Sequence, residues 1–436
     1  MNKNKLFEGK KMHDLAKELW PISRSLTGEG NRKTLKILKK VCKNLKIFEI
    51  NSDTKVFDWK IPNEWVARKA WIKDSKGKKI LDFTKNNLHL MGYSIPVHKK
   101  INFKELKKKI HTLKNKPNAI PYVTSYYNKD WGFSLSFNDF KKLDKKETYE
   151  VLIDTELKKG SLTFGEILIP GKTKKEILIS TNICHPSMAN NELSGPVVST
   201  YLAKWINKKK NRKYSYRILF LPETIGAIAY LSKKYKYLKK NVVAGYNVVC
   251  VGDNKKYSYL PSRNGDTFSD IIAQYVLKTK IKKFKQYSWL DRGSDERQYC
   301  SPGIDLPIAS IMRSKYGTFP EYHTSEDNLL KVVTPAGLQG GYDILKDALE
   351  LIEKNFFLKS LVLCEPFYNK RGMYPKFTVK GDNFRELMLK MNHIVSYSDN
   401  KIPAIAIAEK LSITFDKFLS LVKILERKKI VKKIDY

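Results

Sequence analysis

No CxxC pair occurs in this chain, and its five cysteines (Cys42, Cys184, Cys250, Cys300 and Cys364) are scattered and odd in number. That excludes the disulfide framework of small secreted domains and fits reduced thiols in a cytoplasm. No run of about 18 apolar residues occurs, so nothing reads as a membrane span. The first twenty residues have charges but no apolar core and no small-residue cleavage site, so they do not read as a secretory signal. Arginine is also scarce. Lysine and arginine number 83 against 44 acidic residues, for a net charge of +39, yet only 12 of the 83 are arginine. A nucleic-acid surface concentrates its charge on one face and uses arginine for bidentate contacts. Lysines spread along the whole chain are explained more simply by compositional bias, which leaves weak polyanion affinity at low salt.

What is present is the material of a globular protein: 42% hydrophobic and 12% aromatic residues in a chain of 436, enough for about two or three domains. Residues 10–45 show two helical faces, Met12, Leu15, Ala16 and Leu19, then Leu35, Leu38, Val41, Cys42 and Leu45. Between residues 51 and 165, short β-branched and aromatic runs such as VFDWKI, AIPYVTSYY and TYEVLID alternate with polar turns, which predicts an inserted, mostly β domain with a short helix at 104–111. From 166 to 358, apolar runs at 177–181, 216–221, 246–251 and 306–311 alternate with helical spacing, and a last helix covers 335–357. This is the α/β pattern of a mixed, mostly parallel sheet flanked by helices. Residues 1–50 and 166–358 would form one domain. Residues 362–436 read as helix, turn, helix, strand, with Thr414 as an N-cap, the outline of a winged-helix domain.

The chemistry gathers in EILISTNICHPSMANNELSG, residues 176–195. An apolar run ends in a polar turn bearing His185, Asn190, Asn191 and Glu192, with a helix-like pattern directly after. Such a turn puts hard ligands at the C-terminal edge of a sheet, where open α/β folds gather their sites. Far downstream, EYHTSEDNL places His323 in an acid-rich turn. The segment DRGSDERQYCSPG crowds Asp291, Arg292, Asp295, Glu296 and Arg297 into a few residues. It reads either as a solvated loop or as a substrate loop, with Arg297 taking a carboxylate and Asp295 or Glu296 a free α-amine. Cys300 has no adjacent histidine and reads as a buried structural thiol.

CHPSMANNELSG, FLPETIG, SDERQYCSPG and EYHTSEDNL together resemble the bacterial aminopeptidase-like proteins of the zinc aminopeptidase (co-catalytic zinc exopeptidase) superfamily, those with an inserted β domain and a C-terminal winged helix. The resemblance implies a metal at the C-terminal edge of one mixed sheet. It makes His185 the first ligand and His323 the last, puts Asn191 in the place of a bridging aspartate with Glu192 beside it, and makes Glu223 the general base. Thr224 then stands where a glutamate is expected. The remaining aspartate falls near Val249, with Asp253 the nearest acid. Three missing negative charges argue against two zinc ions; one remains reasonable, since catalytic zinc needs three protein ligands and water. Glu192 is the first choice of third ligand, with Asn191, Asp253 and Asp295 as further candidates at or behind the metal.

Two readings follow. The first is a cytoplasmic zinc-dependent hydrolase of aminopeptidase type, in which zinc-bound water attacks a peptide or amide bond and Glu223 takes its proton. Its substrate would be a small peptide or an amino-acylated sugar derivative, the latter because the resemblance points to surface-polysaccharide biosynthesis. The second is a non-catalytic descendant whose degenerate metal pocket serves ligand, protein or DNA binding. DNA binding by the winged helix is the less favoured role, because residues 404–428 carry no arginine near the second helix start. No membrane partner is expected, and homo-oligomerisation is left open.

Overall fold

The computed structural model describes residues 7–373 and 383–435, so the outermost parts of the expected 1–50 and 362–436 spans lie outside the described residues. Its centre is an eight-stranded sheet. In chain order the strands are β1 (Lys46–Asn51), β2 (Ser161–Ile169), β3 (Glu176–Asn182), β4 (Ser215–Leu221), β5 (Val242–Asn247), β6 (Ser258–Leu260), β7 (Lys285–Gln286) and β8 (Ile308–Met312). They lie in the order β1-β2-β4-β3-β5-β8-β6-β7. The inner four, β4, β3, β5 and β8, run parallel, while β1, β2 and β6 meet their neighbours β2, β4 and β8 antiparallel. Every residue of β3, β4 and β5 is buried. That is why these strands read as continuous apolar runs: helices cover both faces.

Those helices are α1 (Phe7–Leu19), α2 (Glu29–Val41), α3 (Ser194–Lys208), α4 (Ile225–Asn241), α5 (Phe268–Lys280) and α6 (Pro335–Lys354). Helix α6 starts as its sequence dictates, with Pro335 in the first turn and the Thr334 hydroxyl accepting the Gly337 N–H at 3.0 Å. Helix α3 begins at a close approach: a Cβ on Gly195 would collide with the Thr181 hydroxyl and the Val248 carbonyl, so only glycine lets α3 pack this near β3.

Several boundaries differ from expectation. The strand anticipated at 246–251 is Val242–Asn247, and residues 248–251 are buried without strand pairing. An apolar run reports burial, not extension, so it cannot locate a strand end. The helix expected at 104–111 stops at Lys107, and Ile110–His111 pairs as a short strand with Phe133–Ser134.

Residues 64–158 hold a four-stranded antiparallel sheet, in the order Lys79–Asp82, Glu64–Lys73, Thr148–Lys158, Val97–Asn102. Tyr149, Val151 and Ile153 alternate inward from it onto Trp65 and Ile72. At the C-terminal end, helices Asn383–Ser396, Ala404–Lys410 and Phe415–Arg427 stand on a three-stranded sheet of Phe357–Ser360, Asp399–Pro403 and Val431–Ile434. The helix-turn-helix-strand outline holds here, and Thr414 is the N-cap, accepting the Lys417 N–H at 3.3 Å. The first helix and two strands escaped the sequence pattern.

Candidate functional site

Three chain segments leaving the C-terminal ends of β3, β4 and β5 meet a fourth that precedes β8. After β3 comes Cys184-His185, after β4 Pro222-Glu223-Thr224, and after β5 the buried loop to Asp253. A π-helical turn, Ala189–Leu193, then carries Glu192 back toward His185. Glu192 Oε1 accepts the backbone N–H groups of His185 (2.9 Å) and Cys184, and Oε2 lies 2.9 Å from His185 Nδ1. Both carboxylate oxygens are therefore spent on holding the imidazole and the turn that bears it. The other ring nitrogen, Nε2, lies 3.7 Å from Glu223 Oε2. Burial alone would lower the His185 pKa, but Cys184 and Glu192 beside it outweigh this and hold it well above the ordinary value.

His323 comes from a different part of the chain, yet its ring centroid is 5.5 Å from that of His185. Its backbone is left-handed (φ 54°), its ring stacks on Tyr322 at 3.9 Å, and its carbonyl accepts the Tyr122 N–H at 2.9 Å. Burial, then the positive charge of His185, push its pKa down to about 3, so the ring is neutral with a lone pair to offer. Tyr122 closes the triangle, its ring centroid 5.2 Å from His185 and 5.3 Å from His323. Cys184 Sγ accepts the Glu223 N–H at 3.1 Å and lies 3.4 Å from His185 Nδ1. Cys184, His185 and Glu192 have ligand atoms all within 4.8 Å of one another.

A cavity of about 220 Å³ opens beside this cluster, walled by Cys184, His185, Glu223, Thr224 and Arg297, with Leu26, Ile225, Trp59, Tyr126 and Tyr127 around them. The Glu223 side chain is 24% exposed, and burial raises its pKa above the usual carboxylate value. Thr224 is the centre of a tight three-residue turn (φ 64°, ψ −75°) closed by the Ile225 N–H on the Glu223 carbonyl at 2.8 Å, a strained geometry for a β-branched residue. Its N–H donates to Asp295 Oδ1 at 2.7 Å, and its hydroxyl accepts from Arg297 Nη2 at 3.0 Å.

The other expected residues take different places. Asp253 does not line the cavity. Its carboxylate accepts from Asn190 Nδ2 (3.0 Å), Ser314 N–H (2.8 Å) and hydroxyl (3.0 Å), and Lys255 N–H (2.7 Å), pinning the loop after β5. Asn191 Oδ1 has Cys250 Sγ at 3.9 Å. Asp295 is wholly buried, and burial, then Glu223, push its pKa well up. Glu296, read as an amine-binding candidate, is enclosed instead. It accepts from the Gly293 and Ser294 N–H groups (2.9 and 3.0 Å), Asn247 Nδ2 (2.8 Å) and the Tyr316 hydroxyl. Cys300 is a buried thiol donating to the Leu306 and Ile308 carbonyls.

Sequence reasoning missed the groups that arrive from a distance. Asp327 accepts the Asn190 and Asn191 N–H groups at 2.7 and 3.0 Å, and burial pushes it up to about 7. Arg24, 2% exposed, donates from Nε to the His185 carbonyl at 3.0 Å and from Nη1 to that of Leu19 at 2.8 Å. The stretch AIPYVTSYY is not a strand but a loop that bridges at Pro121 to Thr324, sets Tyr122 against the two histidines and brings Tyr126 and Tyr127 to the cavity. Its proline and paired tyrosines were the available signal.

Residues 13–355 match a family model described as a domain of unknown function (DUF4910), and residues 357–433 match one for a winged helix-turn-helix. A curated relative from Clostridium acetobutylicum, named "Putative polysaccharide biosynthesis protein with aminopeptidase-like domain", is 44% identical over 408 residues, 93% of this chain and 92% of that protein. A crystal structure of a "putative peptidase" from the same species is 41% identical, with a TM-score of 0.87 over 99% of this chain and 98% of the other. Two more distant structures share the fold at 13% identity. The zinc aminopeptidase BSAP of Bacillus subtilis has a TM-score of 0.57 over 79% of this chain and 94% of its own. A peptidase M28 precursor of Shewanella amazonensis has 0.56 over 84% and 97%.

Proposed function

Because this chain belongs to the DUF4910 family and carries the zinc-aminopeptidase fold with a winged helix behind it, we propose that it is a metal-dependent hydrolase of aminopeptidase type acting on an amide bond. The observation that carries this is the pair His185 and His323, one ring oriented by Glu192 and the other neutral, beside a cavity that Glu223 lines. A histidine that gives one nitrogen to a buried carboxylate has the other fixed for coordination. Two rings whose centroids lie 5.5 Å apart suit a shared ion at zinc–nitrogen lengths of about 2.0–2.1 Å.

The donor chemistry fits one zinc better than two. Asn191 offers a neutral amide, the Thr224 hydroxyl is bonded to Arg297, and Val249 offers nothing. His185 and His323 would hold the ion, with Glu223 the acid nearest the free His185 nitrogen. Zinc bound there would supply Lewis acidity toward an amide carbonyl. Glu223, on the cavity wall and 3.7 Å from the free His185 nitrogen, is placed for proton transfer. It would take a proton from the attacking water and pass it to the leaving nitrogen, so that the water oxygen joins the acyl carbon as the C–N bond breaks. Glu192 is assigned an orienting role, not a ligand's, because both its oxygens are engaged.

Elemental analysis of protein purified without added metal tests this. About one zinc per chain is expected, lost together with amide hydrolysis in His185→Ala. Well-folded protein that is metal-free and inert toward amides would instead favour a binding module with a degenerate pocket, the reading that Asn191 and Thr224 support. The relative's name points to polysaccharide biosynthesis as the setting, and we propose an amino-acylated sugar as one substrate. For the winged helix we assign a packing role. The Phe415 N–H at the start of its third helix donates to Tyr275 of α5 at 3.2 Å, so that end is docked rather than presented.

A further inference from the structure

A site that reads a free amino terminus needs a carboxylate with spare acceptor capacity facing the substrate, because a desolvated ammonium without partners is costly. Four acids surround the cavity; two are already committed and a third does not reach its wall. Glu192 is bound to His185 and to two backbone N–H groups. Glu296 has four donors. Asp295 has one oxygen on the Thr224 N–H and the other without a partner, but it is wholly buried and does not line the cavity. Glu223 is the one carboxylate on the cavity wall among the described residues, and hydrolysis requires it for the proton.

The opposite charge is provided for. Arg297 lines the same cavity, anchored by Nε on the Ser294 carbonyl at 2.9 Å and by Nη2 on the Thr224 hydroxyl at 3.0 Å. It makes no salt bridge among the described residues, so Nη1 is left to meet a ligand. A guanidinium fixed in this way is suited to a carboxylate and loses little freedom on binding. Around it the inserted module sets three aromatic rings still open to solvent, Trp59 (39% exposed), Tyr126 (41%) and Tyr127 (57%), the Trp59 and Tyr127 centroids 6.3 Å apart. Ring faces beside a charged anchor would hold a ligand that has both a flat group and an anion.

We infer that this cavity takes an amide with a blocked amino end and a carboxylate: an N-acyl amino acid with a ring-bearing side chain. The carboxylate lies on Arg297 and the ring on Trp59 and Tyr127. The assignment rests on the hydrolase reading for cleavage and for reserving Glu223 from an amine; the carboxylate and ring contacts stand apart from it.

The test is isothermal titration of the full chain, as purified, with N-acetyl-L-tyrosine and with L-tyrosinamide, which has a free amine and no carboxylate. The acetylated acid should bind at least tenfold more tightly. Arg297→Gln should weaken it tenfold or more while leaving tyrosinamide unchanged, Arg297→Lys should recover part of the loss, and Trp59→Ala should weaken it about three- to tenfold. Circular dichroism on each variant separates lost binding from lost fold. Tighter binding of tyrosinamide, indifference of N-acetyl-L-tyrosine to Arg297→Gln in folded protein, or no binding of the acid up to its solubility limit each overturns the inference. Acetate release, followed separately, reports on the hydrolase reading: binding without release leaves this assignment standing, and cleavage of free-amine substrates does the reverse.

Discussion

The interaction that matters most at the scale of single residues is the contact between Glu192 and His185 Nδ1 at 2.9 Å. It sets which ring nitrogen is free and which way it faces. Glu192→Gln keeps the shape but replaces an anionic acceptor with a neutral amide. Zinc affinity is expected to fall about 10- to 100-fold with the fold intact, measured by competition with a chelating dye. An unchanged affinity would make Glu192 a bystander. Gly195→Ala tests a steric claim: a Cβ facing the Thr181 hydroxyl and the Val248 carbonyl forces α3 off β3. A loss of about 1–3 kcal/mol is expected in urea unfolding. His185, His323 and Glu223 were legible because each sits in a short motif. The partners of Glu192 and Glu296 were not, since backbone N–H groups and a distant asparagine and tyrosine leave no mark on the local sequence.

Among the elements, β4 carries the most consequential buried charge. Arg217 meets Glu176 of β3 through Nε and Nη2, both at 2.7 Å, and also meets Glu166 of β2. The Arg217 and Glu176 side chains are 7% and 2% exposed. Arg217→Met would leave Glu176 buried beside the half-buried Glu166 with no cation. A loss of about 3–5 kcal/mol is expected by denaturant unfolding. Zinc binding at 25 °C should be untouched, because the network joins the ends of β3 and β4 opposite His185 and Glu223. The alternation of strands and helices was readable from apolar spacing alone. Their ends were not: residues 248–251 are as apolar as a strand but are held as a loop by Ser194, Asn190 and Asp253.

For the molecule as a whole, the winged helix and the α/β layer share one apolar core. Ile405, Ile407 and Phe415 belong to the same cluster as Ile272, Ala273 and Val276 of α5. The Ala404 N–H donates to the Phe356 carbonyl at 2.8 Å, and the Ile405 N–H to Asn355 Oδ1 at 3.0 Å. Ending the chain at residue 356 would uncover this face. With each large buried side chain contributing about 1.5–3 kcal/mol, the melting temperature should drop by roughly 10 °C or more. Calorimetry would check this; an unchanged transition would show the tail to be an independent module. Duplex DNA binding by the full chain should fade steeply with salt and show no sequence preference, as diffuse lysine charge predicts.

The amino-acid sequence by itself determined the layer architecture and the two distant histidine motifs. Apolar periodicity and residue identity are local, and need no knowledge of where the chain goes. Only the tertiary structure decided that Glu192 turns back onto His185, that Glu296 is enclosed, and that an inserted loop brings Tyr122, Tyr126 and Tyr127 to the site. Those outcomes depend on which donors meet which acceptors once the strands are paired. Contacts that close only when separate segments are brought together are a property of the folded chain alone.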